Sequence, residues 1–159
     1  HFRLHDQRLQ PLSYTYTDSG NPAHNETIRF NWTTRKALDT KGGKTSRIAL
    51  APGILDRLSV QLALSRQLAA GRPLPATWDV INGGELKHYH LKRKGRAVIA
   101  TAAGDFNATI VTREDPRSKR TTTFWFAPRY EWLPVKMQQR EPGKATITFV
   151  LIKLTWLRK

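Results

Sequence analysis

Cysteine is absent from the 159-residue chain, and methionine occurs once. Without thiols there is no disulfide framework, no thiolate nucleophile and no cysteine-based zinc or iron-sulfur site. Acidic residues are also scarce, twelve against twenty-seven Lys and Arg. They are dispersed, and no spacing sets a proton donor against an acceptor. Their one adjacent pair, Glu114-Asp115, runs into Pro116 and reads as a solvated turn. Long apolar runs are missing too. The longest, Thr146 to Leu157, is broken by Lys153 and falls well short of the roughly 20 residues a membrane-spanning helix needs. No Gly-x-Ser-x-Gly elbow, internal repeat or secretory signal is visible.

What remains is a strongly basic chain of single-domain length. The formal charge is +15, which attracts polyanions: nucleic acid, anionic lipid head groups or acidic polysaccharide. One domain, residues 1–159, is expected, large enough to bury a core without disulfide or metal staples. The chain begins at His1 rather than at Met and enters β-like sequence almost at once, so a processed or trimmed N-terminus is expected.

The stretch from Arg120 to Arg140 holds two of the five tryptophans and the single methionine. It reads as a hairpin. Thr122, Phe124 and Phe126 alternate with Thr121, Thr123 and Trp125, so rings stand on both faces; Pro128 ends the strand, and Leu133, Val135 and Met137 alternate in the return. Upstream, Leu12 to Thr17 and Thr27 to Thr33 alternate, the second with Ile28, Phe30 and Trp32 inward. Weaker strands flank the turn at Lys41-Gly-Gly-Lys44. A β-like run follows Gly43-Lys-Thr, so this is a turn and not a phosphate-binding loop.

One segment breaks the β pattern. Ile54 to Ala70 has helix formers at helical spacing and predicts a helix stopped by Gly71 and Pro73, with Ile54, Leu55, Leu58, Leu62 and Ala69 on its apolar arc. Short strands return through Thr77 to Ile81, Leu86 to Leu91, Ala97 to Thr101 and Phe106 to Arg113, with Lys92-Arg-Lys-Gly-Arg96 read as a hairpin tip. The final run, Ala145 to Trp156, switches its inward parity near Phe149 to Ile152, as a bulge or a strand buried on both faces would. The expected fold is mainly β: an antiparallel curled sheet or incomplete β-barrel wrapped around one major α-helix.

His88 and His90 share a strand face near Glu85, but no clustered third and fourth ligands accompany them, so no metal site is assigned. Neither a catalytic residue nor a cofactor is assigned. Basic residues gather at Lys92, Arg93, Lys94 and Arg96, and at Arg117, Lys119 and Arg120. These are the candidate anion-binding groups.

Four motifs in order, Leu55-Asp-Arg-Leu-Ser59, Ala102-Ala-Gly-Asp-Phe106, Thr121-Thr-Thr-Phe-Trp-Phe-Ala-Pro128, and Leu133-Pro-Val-Lys136 followed by Gln139, resemble the bacterial Domain of Unknown Function 3108 family. The likeness runs from about Tyr14 to Phe149. It implies an exported, periplasmic protein of Gram-negative bacteria with a signal peptide in its precursor and further strands upstream of His1. It also implies a layout similar to the lipoprotein carriers, in which an incomplete barrel wraps a helix and offers an apolar cavity. The family carries no catalytic motif to transfer. On that reading the chain is a non-enzymatic envelope protein, with Phe30, Trp32, Trp78, Phe124, Phe126 and Leu133 lining an apolar groove for an acyl chain or similar guest. The basic groups would then hold the head group of a lipid, a lipoprotein or an anionic envelope polymer. The alternative is a nucleic-acid-binding domain.

Overall fold

The structure is a computed structural model that describes residues 1–6 and 8–155. It is mainly β, 55% strand against 11% helical, which agrees with the expected class. Thirteen strands and one α-helix follow in order among the described residues: β1 (Phe2–His5), β2 (Arg8–Pro11), β3 (Ser13–Tyr16), β4 (Glu26–Asn31), β5 (Lys36–Lys41), β6 (Lys44–Ala49), β7 (Leu55–Asp56), α1 (Ser59–Ala69), β8 (Thr77–Ile81), β9 (Leu86–Thr101), β10 (Gly104–Asp115), β11 (Arg120–Ala127), β12 (Leu133–Arg140) and β13 (Ile147–Val150). They form a β1-β2 hairpin, a four-stranded sheet ordered β3-β4-β5-β6, and a curled seven-stranded sheet ordered β13-β12-β11-β10-β9-β8-β7. The chain divides into two compact units, His1–Ala63 with Thr77–His88, and Leu64–Ala76 with Tyr89 onward.

In the first unit the alternation of β4 does what its sequence dictates. Ile28 and Phe30 are buried with Ala37 of β5, Leu50, Ile54 and Ile81, and Tyr14, Trp32, Ile48 and Leu86 pack against them. The β5–β6 turn forms at Gly42 and Gly43, both left-handed at φ +52° and +80°, as the glycine pair predicts. One inward position of β4 is not apolar: Glu26 shares the face of Ile28 and Phe30 and is 1% exposed.

In the second unit Phe124 and Phe126 are fully buried and stack at 5.8 Å. Trp125, on the opposite face of β11, packs on the cluster of Phe106, Ala108, Ala127 and Val135, with the Lys136 ammonium 4.9 Å from its ring centre. Both faces of β11 are covered, as the rings on each parity predict. A bulge between β11 and β12 at Trp125/Phe126 accommodates Pro134, which cannot donate to the ladder.

Four expectations are corrected. The helix begins at Ser59, not at Ile54. Asp56 stops the extended segment: its Oδ1 accepts the backbone N–H of Leu58 and Ser59 at 2.8 and 2.9 Å, and its Oδ2 accepts the Ser59 hydroxyl at 2.5 Å, an acid-capped start. Ile54 and Leu55 are still buried, but before the helix, and Leu55–Asp56 pairs with Val80–Ile81 in parallel rather than antiparallel. The helix turns Val60, Leu64 and Leu68 inward at i, i+4, i+8 and leaves Leu62 half-buried, while Leu58, just before it, is 55% exposed. At its other end the expected stop holds: Gly71 is left-handed, its N–H bonds to Leu68 O and that of Arg72 to Gln67 O, a Schellman closure.

The third correction concerns Lys92 to Arg96, which form no hairpin tip. They lie inside the 16-residue β9, where the register with β10 steps from Ile110↔Gly95 to Val111↔Arg93 and leaves Lys94 in a bulge. Gly95, at φ +121°, takes up a backbone twist within the strand instead of reversing the chain. Finally, the C-terminal run is not a strand buried on both faces: β13 is an edge strand, with Ile147, Phe149 and Val150 exposed and Ile152 exposed beyond it, while Leu151, half-buried, packs against the cluster of Phe106, Ala108, Ala127 and Val135. Trp156 of that run lies outside the described residues.

Candidate functional site

The first unit carries a groove of about 620 Å³ between the β1-β2 hairpin and the β4–β5 connection. Its apolar floor is Leu9, Leu50 and Trp32, the first two under one-tenth exposed. The Trp32 indole is fixed at both ends. It stacks parallel to Phe30 at 6.2 Å, and its Nε1–H donates to Pro11 O at 2.6 Å, which ties the β4–β5 connection to the end of β2. Asn31 shapes that connection by accepting the Thr34 N–H at 2.9 Å.

Arg3, Arg8 and Arg35 line the groove, against the single carboxylate of Asp6. Asp6 lies 3.6 Å from His5, and Arg3 donates to Gln10 Oε1 at 2.6 Å. Arg8 and Arg35 have no carboxylate within ion-pair distance among the described residues. Arg35 sits at φ +53°, an uncommon conformation for a side chain of this size, and its carbonyl accepts the Leu50 N–H at 2.9 Å. A ring, two aliphatic side chains and a rim of guanidinium groups can hold an anionic head together with the start of an apolar tail.

A second constellation lies in the same unit. The Glu26 and Asp39 carboxyls, both essentially without exposure, stand on the inward face of β4 and β5. Glu26 Oε1 accepts the Gly83 N–H at 2.6 Å and Asp39 Oδ2 the Gly84 N–H at 2.7 Å. Arg57 Nη1 is 3.7 Å from Glu26 Oε2, and its guanidinium also lies over the Tyr16 ring at 5.3 Å. Burial pushes the Asp39 carboxyl up to about 6, with the Gly84 N–H opposing and the Glu26 charge reinforcing the rise.

The structure places the sequence-derived groove residues in separate groups. Phe30 and Trp32 come together, and Trp32 faces the groove. Trp78 is half-buried on β8, outside that pair. Phe124 and Phe126 form their own buried pair in the second unit, where Leu133 opens β12 half-buried. Of the basic groups, Lys92, Arg93, Lys94 and Arg96 are all exposed along β9, and Arg117 and Lys119 occupy the β10–β11 turn. Lys92 lies 3.9 Å from Glu114. Arg120 is committed elsewhere: it pairs with Glu141 at 2.7 Å, and Lys144 and Arg120 together hold that carboxyl below its usual range.

Arg3, Arg8, Arg35 and the Glu26–Asp39 pair are not among the residues that the sequence pattern marks. The arginines carry no motif, since their meeting depends on the β1-β2 hairpin. The acids did leave a signal, because both fall on inward parities, Glu26 two residues before Ile28 and Asp39 two after Ala37.

The family described as Protein of unknown function (DUF3108) matches residues 1–150. No curated protein and no solved structure matches the chain.

Proposed function

We propose that this chain, which belongs to the DUF3108 family, is a non-catalytic, periplasmic protein of the bacterial envelope whose first unit holds an amphiphilic anion. The observation that carries the reading is the groove itself. About 620 Å³ with a Trp32, Leu9 and Leu50 floor suits the proximal part of an acyl chain or a comparable apolar group. Arg8 and Arg35 supply charge that no carboxylate of the described chain offsets. The partner is then a lipid, a lipoprotein acyl chain with its anionic surroundings, or an acidic envelope glycan bearing an apolar group.

Calorimetric titration with dodecyl phosphate tests the site. Binding is expected to weaken about tenfold or more in the Arg8→Gln/Arg35→Gln double variant, corresponding to the loss of one to two charge-assisted contacts. The difference should shrink as salt is raised. Trp32→Ala should also weaken binding, with far less salt dependence. Equal affinity in all three proteins would remove the groove from the reading. The compartment is tested separately, by fractionating cells that express the full gene; a product confined to the cytoplasm would overturn the envelope assignment.

A second reading, nucleic-acid binding, draws on β9. Arg93, Lys94 and Arg96 are exposed in succession around a bulge, with no ion-pair partner among the described residues. Such a strip attracts any polyanion. Salt-sensitive RNA binding that is lost on neutralising these three residues and is indifferent to Arg8 and Arg35 would favour it.

A further inference from the structure

The Glu26–Asp39 pair is an expense the fold has no need of as a core. Two carboxyls at 1% and 0% exposure occupy positions where Ile28 and Ala37, on the same face, show that apolar side chains fit. Each carboxyl spends one oxygen on the surface turn that joins β8 to β9, Glu26 on Gly83 and Asp39 on Gly84. Each leaves its other oxygen, Glu26 Oε2 and Asp39 Oδ1, buried without a hydrogen-bond partner. Two orphan oxygens on neighbouring carboxyls are what a single shared proton satisfies, because a protonated carboxyl donates to an ionised one.

We propose that Glu26 and Asp39 form a proton-sharing clasp on the Asn82–Gly84 turn, closed while the pair keeps one proton and loosened when that proton is lost to water. In the closed form the pair carries one negative charge, which Arg57 and the two glycine N–H groups meet. When the proton leaves, two buried carboxylates lie side by side in a poorly hydrated site. Relief lies close at hand. Gly83 is exposed and Gly84 half-buried, so lifting this turn admits water to both acids without moving an apolar side chain.

The charged and titratable neighbours agree with such a clasp. On β3, Tyr16 stands opposite Glu26 and Tyr14 opposite Ile28, and burial raises the Tyr14 hydroxyl, which keeps it neutral. On β5, Lys41 is the cation that favours ionised Asp39, and its ammonium approaches the position a Gly83 Cβ would take. The neighbour across β6 is the uncharged Ser46. From the connection after β7, Arg57 is the ion-pair partner of Glu26; Asp56, which acts with both on the Tyr14 hydroxyl, is occupied in starting α1. Both cations stabilise the ionised pair only in part, since Asp39 still takes its proton up at about pH 6.

The turn is also made for close approach. Gly84 is left-handed at φ +82°, and a Cβ there would meet the Ser46 hydroxyl at 2.9 Å. Only glycine brings this N–H down onto Asp39.

Nuclear magnetic resonance of the wild-type protein between pH 4.5 and 8 tests the clasp directly. The Asp39 side-chain carbon and the Gly83 and Gly84 amides are expected to titrate together with a midpoint near 6, and both amides to lose hydrogen-exchange protection by tenfold or more above it. In Asp39→Asn the two amides should show no such transition. Because histidines titrate in the same window, the transition must survive in His88→Gln, which removes the imidazole next to Asp79. Amides that stay unshifted from pH 5 to 8 overturn the proposal. So does an Asp39 midpoint in the ordinary carboxylate range, or a transition that disappears with His88.

Discussion

Leu64→Ala is expected to destabilise the protein by about 2–5 kcal/mol in denaturant unfolding, and Leu58→Ala to change it by no more than about 0.5 kcal/mol. The two leucines are six residues apart, Leu58 just before the helix and Leu64 within it, and a reading of spacing alone puts Leu58 and Leu62 inward. The folded helix is rotated from that arc. Leu64 has no exposure, whereas Leu58 keeps more than half of its surface in water. Truncating Leu64 removes buried methyl groups and leaves a cavity lined by neighbours that relax only partly, whereas Leu58 loses contacts it shares with solvent. Val60 and Leu68, on the same stripe, should follow Leu64 in direction. The reverse order, with Leu58→Ala the costlier change, would show that this segment is turned by at least a third of a turn from its described orientation.

Stability should fall as the pH rises from about 4 through 6, and Asp39→Asn should remove that fall. Asp39 has its ordinary value of 3.8 in the unfolded chain and about 6 in the folded one. The folded state therefore binds the proton more tightly, and the stability it confers is complete below the unfolded value and lost as the pH passes the folded one. A difference of roughly two units corresponds to about 2–3 kcal/mol. Asn keeps the shape of the neutral acid and cannot ionise. At pH 4 the two proteins should unfold at similar urea concentrations, and at pH 8 the variant should be the more stable by about 2 kcal/mol. Comparing them at each pH cancels the carboxylates they share, Asp18 and Glu141 among them, which titrate in both. If wild type and variant hold a constant difference across the whole range, Asp39 does not titrate where its surroundings place it.

Much of the fold was legible where one physical rule acted alone. Thr27 to Thr33 alternates because one face of β4 is buried, and that pattern has a single reading. The rings of β11 fell on both parities because both faces are covered. The Gly71 stop was legible because a left-handed residue after a helix is a local demand that glycine meets. Legibility failed where two rules competed. In α1 apolar residues occur around most of the circumference, so the true stripe of Val60, Leu64 and Leu68 was no clearer than the arc through Leu58 and Leu62. At Lys92 to Arg96, Lys-Gly amid cations looks like a reversal, but a bulge uses glycine for the same left-handed freedom and lets the strand continue. The site was less legible than the fold. Trp32 is marked by its inward parity, but Arg3 and Arg8 reach it only through the β1-β2 hairpin, and Arg35 only through the β4–β5 connection. Glu26 is not legible because the clean alternation begins at Thr27, one residue after the strand does, and because a buried acid opposes the rule that makes alternation readable.

The exposed edge strand gives the chain's excess of positive charge a role beyond ligand attraction. β13 presents Ile147, Phe149 and Val150, with Ile152 just beyond, along the free margin of a sheet, an arrangement that invites a neighbouring molecule to add its own strand. Lys153 interrupts that apolar run, and a formal charge of +15 makes every encounter between copies a collision of like-charged bodies. The repulsion is colloidal and long-ranged where salt is dilute, and collapses to within about 10 Å at 0.1 M ionic strength. Basicity therefore acts as a keep-apart force for a margin that the described residues leave uncovered. A variant made nearly neutral to cure non-specific binding would give up that protection and expose the same margin to self-association.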